Sequence, residues 1–141
     1  MVVLMAIARE RPKAGDSEKI TINLGYIDLG QVDLLVRDGF YANRTDLIRT
    51  AIRNQLDRHR DVLSRSMARN DLDLGLRHYS RAELQSLAEA GERISIHALG
   101  LVTIADDVTA ELASRVISSV QVLGVFQASA AVKAAIHDRI R

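Results

Sequence analysis

In the stretch KITINL, Lys19, Thr21 and Asn23 alternate with Ile20, Ile22 and Leu24. In an extended backbone successive side chains point to opposite faces. One face would then be aliphatic, and the other would carry an ammonium, a hydroxyl and a carboxamide. These three groups differ in their donors and acceptors. With no partner beside them to activate a nucleophile, they are suited to recognising a surface rather than to reacting with it.

Residues that could do other chemistry are scattered. The four histidines, His59, His78, His97 and His137, include no pair four residues apart. There is no H-E-x-x-H, no glycine-rich phosphate loop and no G-x-S-x-G. The pair Asp106–Asp107 precedes a helical stretch and reads as an N-terminal cap. The chain has no cysteine, which excludes disulfides, thiolate chemistry and cysteine-based metal sites. The expectation is a protein without catalytic residues, without a metal site and without a cofactor.

Composition narrows the class. Hydrophobic residues are 48% of 141, enough for a packed core in one domain or two small ones. No apolar run approaches the ~20 residues that span a bilayer, so a cytoplasmic protein with no membrane partner is expected. Net charge is only +1, but residues 1–81 hold 14 basic and 11 acidic residues against 5 and 7 in residues 82–141. Sixteen of the nineteen basic residues are arginine, whose planar fork suits phosphate oxygens.

The strand must be held by the segments that come after it in the chain. In YIDLGQVDLLVRDGF, Asp28 and Gln31 have capping-box spacing. Val32, Leu35 and Val36 then share a helical face, and Gly39 is the stop. A second helix begins at Asn43, with Asp46 repeating the capping spacing. Leu47, Ile48, Ala51 and Ile52 lie at helical intervals along it. Leu63 and Met67 extend the pattern toward Arg69, and Asn70–Asp71 looks like a break. A third short helix runs from the Ser80/Glu83 box to Gly91.

A lone half-apolar strand is unstable, and about 45 residues alone bury too little. The simplest partner is the same strand from a second chain. The order strand, short helix, G-F-Y-x-N-R-T-D-L-I-R and longer helix resembles the ribbon-helix-helix family (MetJ/Arc/CopG type), over roughly Ser17 to Arg60. NRTDLIRTAIR carries most of the resemblance. It implies a homodimer, held by an intermolecular antiparallel β-ribbon, that binds double-stranded DNA sequence-specifically, usually to repress transcription. A two-stranded ribbon fits the major groove, where Lys19 can bond guanine, Asn23 adenine, and Thr21 a base edge or a thymine methyl. The free N–H groups of Arg44 and Thr45 behind Asn43, with the Arg44 charge and the Thr45 hydroxyl, can hold a phosphate. The dimer core is expected from Ile20, Ile22, Leu24, Val32, Leu35, Val36, Leu47, Ile48, Ala51 and Ile52.

From Glu92 the chain becomes apolar, β-branched and poor in charge. ISIHALGLV (Ile94–Val102) aligns with SSVQVLGVF (Ser118–Phe126) at an offset of 24, each followed by a short helical stretch. The expected fold class is α+β: a ribbon-helix-helix over 17–70 after a flexible N-terminal arm, 1–16, then a connecting segment with a short helix, 71–91. A small mixed α/β domain, 92–141, comes last, for oligomerisation or effector binding. The alternative function is an antitoxin or other interaction module whose C-terminal half binds a partner protein. A folded tail argues against an antitoxin, whose tail is usually disordered until bound. Two repeat units are too few for a stable solenoid, so this half is expected to build assemblies beyond the dimer.

Overall fold

The structure is a computed structural model that describes residues 17–141; the expected arm, 1–16, lies outside the described residues. The chain divides into two compact units, with the boundary between Ser66 and Met67.

The first unit has a lead outside any helix or strand, residues 18–25, and then helix α1 (Tyr26–Arg37) and helix α2 (Arg44–Arg58). Helix α3 (Arg60–Arg69) comes after a break at His59 and crosses the boundary. Helix α1 starts two residues before the expected cap, so Asp28 sits in its first turn and Gly25 occupies the cap position. It stops as expected at Gly39, whose φ of +85° suits glycine. The Gly39 and Phe40 N–H groups bond back to the Val36 and Leu35 carbonyls, closing a Schellman turn. Helix α3 ends the same way at Asn70–Asp71, with the Leu72 N–H on the Met67 carbonyl.

The expected fold class is corrected here. Lys19–Leu24 is not a strand, and among the described residues every strand comes after these helices. The sheet has three strands, all parallel, in the order β1-β2-β3, and is not an N-terminal antiparallel ribbon. The physical reason is that a period of two reports an extended backbone with two unlike faces. It says nothing of where the N–H and C=O groups bond, and a strand is defined by that ladder.

The second unit alternates strand and helix: β1 (Asp73–Tyr79), α4 (Arg81–Glu89), β2 (Ile94–Ile104), α5 (Ala110–Val116), β3 (Ile117–Gln127), α6 (Ala130–Ala135) and a 3₁₀ turn at His137–Arg139. Parallel strands need crossovers, and each helix supplies one or covers the sheet. Each helix opens on a hydroxyl cap. Ser80, Thr109 and Ser129 accept from the N–H groups of Glu83, Leu112 and Val132. The Ser80 box and the Gly91 stop are as expected. Asp106–Asp107 is not a cap, because Thr109 holds that position.

The core lies between the helices and one face of the sheet. Leu84, Ala113 and Val132 from the helices and Ile96, Val102, Ile117 and Val120 from the strands are fully or almost fully buried. Both strands of the expected repeat are present, paired in parallel with Leu99 beside Leu123 and Gly100 beside Gly124. The structure adds a third copy that the sequence pattern does not reveal: β1 places Leu74–Gly75–Leu76 beside Leu99–Gly100–Leu101.

These glycines are required by space. A Cβ on Gly100 would lie 2.2 Å from the Gly75 carbonyl oxygen, and one on Gly124 would lie 2.2 Å from that of Gly100. Their φ angles are +142° and +116°, and that of Gly75 is +131°. A Cβ on Gly75, however, would meet nothing within 4 Å. Gly75→Ala should therefore cost only backbone strain, about 1–3 kcal/mol. Gly100→Ala adds a backbone clash and should lower the melting temperature far more. Thermal unfolding followed by circular dichroism checks this; equal losses would mean the close approach is unimportant.

Candidate nucleic-acid interface

The first unit brings the predicted recognition residues onto two elements. Lys19, Thr21 and Asn23 lie on the lead before α1 and are all exposed. Asn43, Arg44 and Thr45 lie at the start of α2 and are exposed as well.

Asn43 caps α2 as the spacing predicts. Its backbone is extended, and its Oδ1 accepts from the Asp46 N–H at 2.8 Å. Asp46 returns the bond one residue earlier, its Oδ2 accepting from the Ala42 N–H at 3.0 Å. The two side chains lock the turn into the helix and satisfy one of the N–H groups a helix leaves free at its start. The Arg44 and Thr45 N–H groups come before the first intrahelical bond and have no acceptor among the described residues. With the positive end of the helix dipole, such free N–H groups can accept an anion.

The Arg44 side chain is placed differently from its neighbours. Its Nε and Nη2 donate to the two Asp33 carboxylate oxygens at 2.7 and 2.8 Å. This fork clamps α2 to α1 across the turn. The Arg44 hydrogen bonds hold the Asp33 carboxyl below its ordinary range, and Asp33 raises Arg44 in turn. A lowered folded-state carboxylate stabilises at neutral pH, and that contribution is lost as acid protonates it. The pair is exposed, so the contribution is small. Sequence reasoning misses Asp33. Its signal is an opposite charge on the far side of a glycine turn, which many surface pairs share.

The ten apolar residues expected to form a dimer core are not buried in a single chain. Val32, Val36, Leu47 and Ile48 are half-buried, and Leu35, Ala51 and Ile52 are exposed. Ile20, Ile22 and Leu24 are 69%, 53% and 41% exposed. None of α1, α2 or α3 has a fully buried residue.

Among the described residues no group of three or more potential metal ligands comes together. No helix of the described residues is long and apolar enough to cross a membrane.

The cap leads to a measurable expectation. Asn43→Ala should destabilise the unit by about 1 kcal/mol, the usual cost of losing such a cap. Urea unfolding followed by helical circular dichroism reads it, and an unchanged midpoint would show that the Asn43–Asp46 exchange does not hold the helix start.

No curated protein and no solved structure matches the chain. A family model described as the ribbon-helix-helix transcriptional regulator family matches residues 15–133, covering both units. Its members are DNA-binding regulators and not enzymes. With a helix pair whose second helix is capped by Asn43, preceded by the KITINL lead, and with a match over most of its length, this chain belongs to the ribbon-helix-helix transcriptional regulator family.

Proposed function

We propose that the protein represses transcription in the cytoplasm by binding operator DNA as a homodimer. The Lys19–Leu24 segments of two chains enter the major groove together as a two-stranded ribbon. Lys19, Thr21 and Asn23 read base edges, and the corner at Asn43, Arg44 and Thr45 seats a backbone phosphate.

The observation that carries the reading is the absence of buried side chains in α1 and α2 of a single chain, despite their aliphatic stripe. Half-buried Val32, Val36, Leu47 and Ile48 beside exposed Ile20, Ile22, Leu24, Leu35, Ala51 and Ile52 are the halves of a core that a second chain completes. At the phosphate corner the backbone N–H groups are the main donors, because Asp33 already engages the Arg44 guanidinium. Phosphate contacts of this kind set register, and the ribbon side chains set sequence. The C-terminal half has its own core. That favours a regulator over an antitoxin, whose partner-binding tail folds only on binding. In this reading the DNA-binding and dimerisation domain is 17–70, and the unit that begins with β1 serves oligomerisation or effector binding.

Selection of duplexes from a random library at ~150 mM salt, where weak electrostatic binding is suppressed, tests the proposal. A short repeated motif is expected. Asn23→Ala should then lose about 1–3 kcal/mol at one base pair of each half-site and relax the preference there. No enriched motif, or unchanged binding by that variant, rejects base reading by this segment.

A further inference from the structure

The two edges of the parallel sheet are treated differently. At Val120 the outer edge of β3 is met by the C-terminal segment, where Ile140 bridges to Val120 and the Arg141 N–H donates to the Val120 carbonyl at 2.9 Å. The outer edge of β1 has no partner among the described residues, and six of its seven residues are exposed. An open edge is a template for another strand unless something blunts it.

The glycines show that this edge has room. At Gly100 and Gly124 the missing side chain would run into the carbonyl of the preceding strand. The same position at Gly75 is open space, where a preceding strand would lie. A further backbone can therefore approach β1 as closely as β1 approaches β2.

The sequence of β1 points to its own copy. In an antiparallel pair centred on Gly75, Asp73 of one chain stands opposite Arg77 of the other, and Leu74 stands opposite Leu76. Opposed residues share a face of the sheet, so both pairings are chemically matched: opposite charges on the helix-covered face and leucines on the open one. The leucines already belong to two rows across the open face, Leu74–Leu99–Leu123 and Leu76–Leu101–Val125. Leu74, Leu123 and Leu76 are 72%, 53% and 51% exposed. Pairing about Gly75 would join each row to the other row of the second chain, giving continuous apolar bands across six strands. Arg77 already lies over the Tyr79 ring at 5.0 Å and reaches Glu83 at 3.4 Å, which leaves donors of its fork for a second carboxylate.

We propose that β1 pairs antiparallel with β1 of a second copy, with Gly75 on the two-fold axis, to form a six-stranded sheet. This surface is separate from the one proposed for the DNA-binding unit. Where the two surfaces engage different partners, dimers are linked into larger assemblies. The pairing does not rest on the DNA-binding reading, and its test involves no DNA.

The chain contains no cysteine, so introduced thiols report only on themselves. In the double variant Leu74→Cys, Leu76→Cys, opposed residues would have Cα atoms ~5.5 Å apart, within disulfide range. In either single variant the like residues would be diagonal neighbours at ~7–8 Å, outside it. Both positions are exposed, so the variants should keep the wild-type melting curve. On mild oxidation, the double variant should give a reductant-sensitive covalent dimer on a denaturing gel, and each single variant far less. No crosslink in the folded double variant overturns the pairing. Equal crosslinking by a single variant overturns the register and the two-fold at Gly75.

Discussion

At Gly75, Gly100 and Gly124 three parallel strands approach so closely that a methyl group would collide with a neighbouring carbonyl at two of the three positions. Much of the second unit depends on this approach. The glycines set the register, so that leucines flank them in rows on the open face. Ile96, Ala98 and Val102 then fall on the opposite face with Val120, where the helices cover them. A slip of one residue would exchange the two faces of a strand and expose its core side chains. It would also set a side chain against the carbonyl that the glycine now clears.

The first unit is held by different forces. Its turns are closed by hydrogen bonds at Gly39 and Asn43 and by the Arg44–Asp33 fork, all near the surface. Its aliphatic side chains remain largely in water. Caps contribute about 1 kcal/mol each and exposed ion pairs add little, well short of what ordering fifty residues costs. In the proposed dimer, a second chain would cover these aliphatic side chains, so association and the shaping of the recognition surface would be one event. The C-terminal unit, with its own buried core, has no such need.

Helix starts and stops are legible in the chain because capping is local. Asn43, Ser80, Gly39 and Gly91 act within four residues of themselves, and the spacing alone identifies them. The repeat LGL/LGV is legible at two of its three occurrences. The first escapes because β1 is an exposed edge carrying Asp73, Arg77 and His78, which gives it no apolar signature. The Arg44–Asp33 fork is not legible, since it joins residues eleven apart across a turn. The Lys19–Leu24 pattern predicts a strand where the structure has none, since periodicity carries no information about hydrogen-bond partners.

From sequence alone come the family, the helix pair with its Asn43 cap, the alternation that sets Lys19, Thr21 and Asn23 apart from their aliphatic neighbours, and the β–α repeat. Each rests on residues close together in the chain or on a pattern repeated along it. Only the tertiary structure decided that the sheet is three-stranded and wholly parallel, that β1 is its first strand and open edge, and that Arg44 belongs as much to α1 as to its own helix. Those features arise from contacts between residues distant in sequence, and their geometry is set by space and hydrogen bonding that no local pattern encodes.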